Sequence, residues 1–73
     1  MSHVDHPRVV KDRIHKRVEL PDNRIKDILE VDTDMPIDPQ HPEYDSDEFE
    51  ALAEAVSTAI EETGADGGSI RSI

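Results

Sequence analysis

The sequence predicts a small α+β domain: a short N-terminal strand or hairpin at about residues 13–20, a short helix at about 22–31, a proline-rich acidic loop, and a long C-terminal amphipathic helix at about 46–63. Three observations predict it. Read as a strand, residues 13–20 put Ile14, Val18 and Leu20 on one face and Arg13, His15 and Arg17 on the other, the two-residue period of a half-buried strand. Residues 47–62 repeat Phe49, Leu52, Val56 and Ile60 at the spacing of one helix face. Between these segments, Pro36, Pro39 and Pro42 recur at every third position, which suits an extended loop and excludes a helix interior.

In the first segment, Ile14, Val18 and Leu20 share one strand face while Arg13, His15 and Arg17 occupy the other, and Pro21 ends the run. In residues 22–31, Ile25, Ile28 and Leu29 fall at helical spacing with a Lys26–Glu30 pair four residues apart, which favours a helix. A hairpin through Pro21-Asp22-Asn23-Arg24 would instead set Leu20 opposite Ile25. An all-α three-helix alternative uses Val10, Ile14 and Val18 at four-residue spacing behind an Asp5 cap. For the long helix, Asp45 with Glu48 three residues later forms a capping-box-like start, and Gly64 supplies a left-handed stop. The chain reads as a single domain, 1–73, with 1–6 and the glycine-containing 65–73 flexible.

A chain of 73 residues with 34% hydrophobic content and one Phe and one Tyr builds a thin aliphatic core. Chains of this size hide only ~60% of their unfolded surface, so a homo-oligomer or a bound partner is expected to help. With no cysteine there is neither a disulfide framework nor a thiolate metal site, which favours a reducing compartment. The start, Met1-Ser2-His3-Val4-Asp5-His6, lacks the apolar stretch of a signal peptide, and no run is long enough to span a bilayer. The expectation is a cytoplasmic protein without membrane contact. The net charge of −10 is unevenly spread: residues 1–20 carry five Lys/Arg against three Asp/Glu, and residues 32–73 carry Arg71 against twelve acids. This acidic, lysine-poor, alanine-rich composition resembles that of proteins from salt-loving archaea.

Catalysis is not expected, because the chain offers no Cys, no Ser/His/Asp arrangement and no glycine-rich phosphate loop before a helix. No cofactor or metal is expected either. His3 and His6, with His15 or His41, read as solvated histidines. The acidic loop from Asp32 has carboxylates at calcium-loop spacing, but Pro36 and Ile37 stand where that loop needs a ligand and a glycine.

The leading expectation is therefore a non-enzymatic regulator or adaptor that binds another protein, one with a basic surface, through the long helix. Phe49, Leu52, Val56 and Ile60 form its apolar anchor, and Glu48, Glu50 and Glu54 steer it by charge. The alternative rests on His15-Lys16-Arg17-Val18-Glu19-Leu20-Pro21 and on Ser46-Asp47-Glu48-Phe49, in which the chain resembles ribbon–helix–helix DNA-binding repressors and antitoxins over about half its length. That resemblance implies a dimer whose paired strands present Arg13, His15 and Arg17 to DNA. It departs from the pattern in the long link between the helices and in the acids that open the second one, where phosphate would approach. A further alternative is a structural component of a virus particle or assembly.

Overall fold

In the computed structural model, which describes residues 3–73, the element order is strand, strand, helix, strand. Strands β1 (Val9–Glu19) and β2 (Arg24–Thr33) form an antiparallel hairpin, helix α1 spans Ser46–Thr63, and β3 (Gly67–Ser72) lies parallel to β2. The sheet order is β1-β2-β3, with α1 laid over one face. The parallel neighbours β2 and β3 need a crossover connection, which the loop 34–45 and α1 supply. Of the terminal segment 1–6, residues 1 and 2 lie outside the described residues.

This order corrects the expected fold in two places, and the all-α alternative with it. Residues 24–33 are a strand, not a helix. The helical spacing of Ile25, Ile28 and Leu29 competes there with a two-residue alternation in which Leu29, Val31 and Thr33 all face α1 and are buried. The strand wins because it satisfies the rest of the segment as well. Lys26 reaches across to Glu19 and Glu30 to Arg13, so the charges that suggested an i,i+4 helical pair are both taken by β1. Pro21, Asp22 and Asn23 form the turn, with Asn23 in the left-handed region at φ 54° that asparagine tolerates.

The second correction concerns the C-terminus: α1 lies mid-chain, and β3 follows it. Gly64 closes the helix at φ 75°, with its N–H donating to Ile60 O, and the chain returns at once along β2. The helix opens on Asp45, whose Oδ1 accepts from the N–H groups of Asp47 and Glu48 at 3.0 and 3.3 Å, a cap worth about 1 kcal/mol.

The core consists of Val4, Leu29, Val31, Met35, Leu52, Val56 and Ala59, flanked by Phe49, Ile60 and Ile70. Thr33 is its buried polar member. Its Oγ1 donates to Arg8 O and accepts from Met35 N, which pins the start of β1 and the loop after β2 to the end of the sheet. At the other end the hairpin runs on past the helix and past β3, which begins opposite Ile28. The molecule is accordingly elongated, 41 × 26 × 17 Å.

Candidate interaction surface

The pleat sorts the charge. In β1 and β2 the side chains that turn away from α1 are Lys11, Arg13, His15, Arg17 and Glu19, paired across the ladder with Asp32, Glu30, Ile28, Lys26 and Arg24. Arg71 of β3 joins this open face beside Asp32. Six of the chain's eight Lys and Arg thus stand on one sheet face with only three carboxylates, a net of three positive charges. The remaining two cations and fifteen carboxylates give everything else a net of thirteen negative charges. Sequence order shows only a basic N-terminal stretch; the ladder is what adds Arg24, Lys26 and Arg71 to it.

Three of the six cations are held by neighbours on the face. Arg13 Nε donates to Glu30 Oε1 at 2.8 Å, Lys26 reaches Glu19 at 3.1 Å, and Arg71 forks onto Asp32 at 3.2 and 3.3 Å. Lys11, Arg17 and Arg24 make no ion pair among the described residues, and all three are exposed. Arg13, Glu30, Asp32, Arg71, Lys11 and Ser69 line a shallow depression of about 180 Å³ at the root of this face.

The Arg13 guanidinium holds the Glu30 carboxyl below the usual glutamate range. A carboxylate whose native pKa is depressed stabilises the fold above its unfolded value of ~4.3, and that contribution is lost as pH falls through the native value. An NMR titration should show the Glu30 midpoint below the ordinary range and its return toward that range in Arg13→Ala. Arg8 is tied in the same way on the other side of the molecule, its pKa raised by the hydrogen bond to Asp34 at 2.7 Å.

The residues expected to anchor a protein partner sit elsewhere. Leu52 and Val56 are buried, and Phe49 and Ile60 half-buried, all against the sheet, with Tyr44 tilted over Phe49 at 6.1 Å between centroids. Glu48 lies 3.5 Å from Arg8, while Glu50 and Glu54 project into solvent. Arg13, His15 and Arg17, expected at a DNA interface, share the open face. Of the histidines weighed as ligands, His6 and His41 each accept a backbone N–H two residues on through Nδ1. Among the described residues no group of His, Asp and Glu could hold a metal ion.

No family model matches the chain, and no curated protein or solved structure is significantly similar to it. The surface itself therefore carries the functional reading. Among the described residues no helix is long and apolar enough to cross a membrane.

Proposed function

We propose that the protein is a non-enzymatic binding protein whose open sheet face docks on the phosphate backbone of a nucleic acid. The observation that carries this reading is the gathering of six of eight cations on one uncovered sheet face of a chain whose net charge is −10. Cations placed at random on so acidic a chain would be dispersed among carboxylates as local pairs; here Lys11, Arg17 and Arg24 remain free to meet phosphate.

The acidic remainder does not cancel this face. The carboxylates of α1 lie behind the sheet, roughly 10 Å back at ordinary layer spacing, and the Debye length at physiological salt is ~8 Å. Opposite faces then act separately at contact, and the acids orient the molecule by repelling phosphate from the helix side. Neither Phe49 nor Tyr44 stands on the open face and His15 is the one ring there, so recognition is chiefly electrostatic and tolerant of sequence. A cysteine-free chain working on nucleic acid without a cofactor suits the cytoplasm.

The test is retardation of a labelled DNA duplex at low salt, with the affinity followed as salt rises. Arg17→Ala combined with Arg24→Ala should weaken binding and reduce the slope of log affinity against log salt by about two. Glu54→Gln, behind the sheet, should leave the slope unchanged. Absence of binding at low salt, or a slope indifferent to the arginine pair, would remove the reading.

A further inference from the structure

Six polar residues line the shallow depression at the root of the open face, and the strand register sets them in two rows. Lys11, Asp32 and Arg71 lie across one row, and Arg13, Glu30 and Ser69 across the next. The carboxylates therefore stand on the central strand, with cations and a hydroxyl to either side. Exposure separates them in depth as well. The Arg13 and Arg71 side chains are 63 and 75% exposed, against 33 and 20% for their partners Glu30 and Asp32, so the carboxylates form the floor and the cations the rim. An anion arriving from solvent meets the rim first.

The ion pairs leave donors for it. Arg13 binds Glu30 through Nε alone, which leaves both Nη nitrogens, and Arg71 forks onto Asp32 through Nε and Nη2, which leaves Nη1. Among the described residues the Lys11 ammonium makes no ion pair and the Ser69 hydroxyl no hydrogen bond to a charged neighbour. Glu30 and Asp32 act as positioning groups: each holds one edge of a guanidinium and leaves the opposite edge unused.

Resting on the nucleic-acid reading of this face, we propose that the depression seats the terminal phosphate of a strand, a phosphate monoester at a strand end. Its volume of about 180 Å³ lies below the ~300–1,000 Å³ of pockets that enclose a whole small ligand, so it takes one group and leaves the rest of the molecule outside. Three rim cations suit a monoester, with three terminal oxygens and a charge of about −1.5 to −2, better than an internal phosphodiester with two free oxygens and a single charge. Position points the same way. Past the depression the run of cations ends, and the next charges are Asp34 and Glu48, both reached by Arg8. Toward the tip, Arg17 stands six residues beyond Lys11 on β1, roughly 20 Å away, and Arg24 lies farther out on the hairpin arm. A strand laid over the face thus runs along the arm and ends at the root.

The full chain should bind a short DNA duplex bearing terminal phosphates about five-fold or more tighter than the same duplex with hydroxyl ends. Lys11→Ala should erase that ratio while circular dichroism keeps the native spectrum, since the side chain is exposed and unpaired. Arg17→Ala with Arg24→Ala should weaken both duplexes and keep the ratio. In parallel, inorganic phosphate should shift the amide resonances of Ser69 and Arg71 where chloride at equal ionic strength does not. Equal affinity for the two duplexes, each with a normal salt slope, overturns the strand-end seat and leaves the reading of the face standing. A ratio that survives Lys11→Ala overturns it too. If neither duplex binds, the reading of the face fails with it, and amides that still respond to inorganic phosphate then assign the depression to a free phosphate ester in place of a strand end.

Discussion

Leu52→Ala should lower the unfolding free energy by about 3 kcal/mol and the melting temperature by roughly 12 to 24 °C. Leu52 is fully buried at the centre of the α1 stripe, in the same core as Leu29, Val31 and Val56, also buried. Truncation removes the transfer free energy of three carbons and leaves a cavity that a helix held at both ends cannot collapse. The effect is large relative to what a chain of this length can hold. Domains keep about 0.05–0.15 kcal/mol per residue, so the substitution takes a substantial part of the total, and part of the population should unfold at growth temperatures. Urea denaturation followed by circular dichroism reads it directly. Val10→Ala, at a side chain 56% exposed, should change stability by less than about 0.5 kcal/mol in the same assay. Comparable losses at the two positions would mean that α1 does not lie on the sheet as described.

The helix was legible in the sequence because its signals are local. An apolar stripe at 3.6-residue spacing, an aspartate cap and a glycine stop all lie within about twenty residues of one another and need no other part of the chain. Residues 24–33 were not legible in the same way. Ile25, Ile28 and Leu29 fit a helix, whereas Leu29, Val31 and Thr33 fit a strand, and the choice depends on whether a partner strand and a covering helix are there to receive them. Tertiary context decides such segments, and Lys26 and Glu30 show how: each finds its opposite charge across the ladder on β1.

The candidate surface follows the same division. The basic character of residues 8–17 can be counted along the chain, but its extension to Arg24, Lys26 and Arg71 exists only once three strands are in register. The apolar stripe of α1 was equally visible, and it suits a fold core and a docking face alike; burial of Leu52 and Val56 commits it to the core in this structure. What the alternation of β1 could not reveal is how far along it the helix reaches. Ile14, Val18 and Leu20 look alike in sequence, and only the end of α1 near Asp27 separates the sheltered part of their face from the exposed part.

The last strand shows most sharply how a residue read as flexible acts as a packing device. Gly68→Val should cost about 2–3 kcal/mol, whereas Gly67→Ala should be neutral or stabilise by up to about 1 kcal/mol. A Cβ on Gly68 would stand 2.8 Å from Ile60 Cδ1, 3.2 Å from the Leu29 carbonyl oxygen and 3.4 Å from Val56 Cγ1. The isoleucine tip can swing aside, but the β2 carbonyl is fixed by the sheet and Val56 is held in the core, so the two methyl groups of valine must push β3 or α1 outward. On Gly67 the nearest atom to a Cβ is Ile28 Cδ1 at 3.7 Å, an ordinary contact, and the alanine only reduces the freedom of the unfolded chain. Two adjacent glycines therefore carry opposite expectations. The missing side chain at position 68 lets β3 pass beneath α1 and join β2, whose third-strand pairing ends where the uncovered arm begins. Paired urea denaturation curves test this, and equal effects at the two positions would show that β3 does not run beneath Ile60 and Val56.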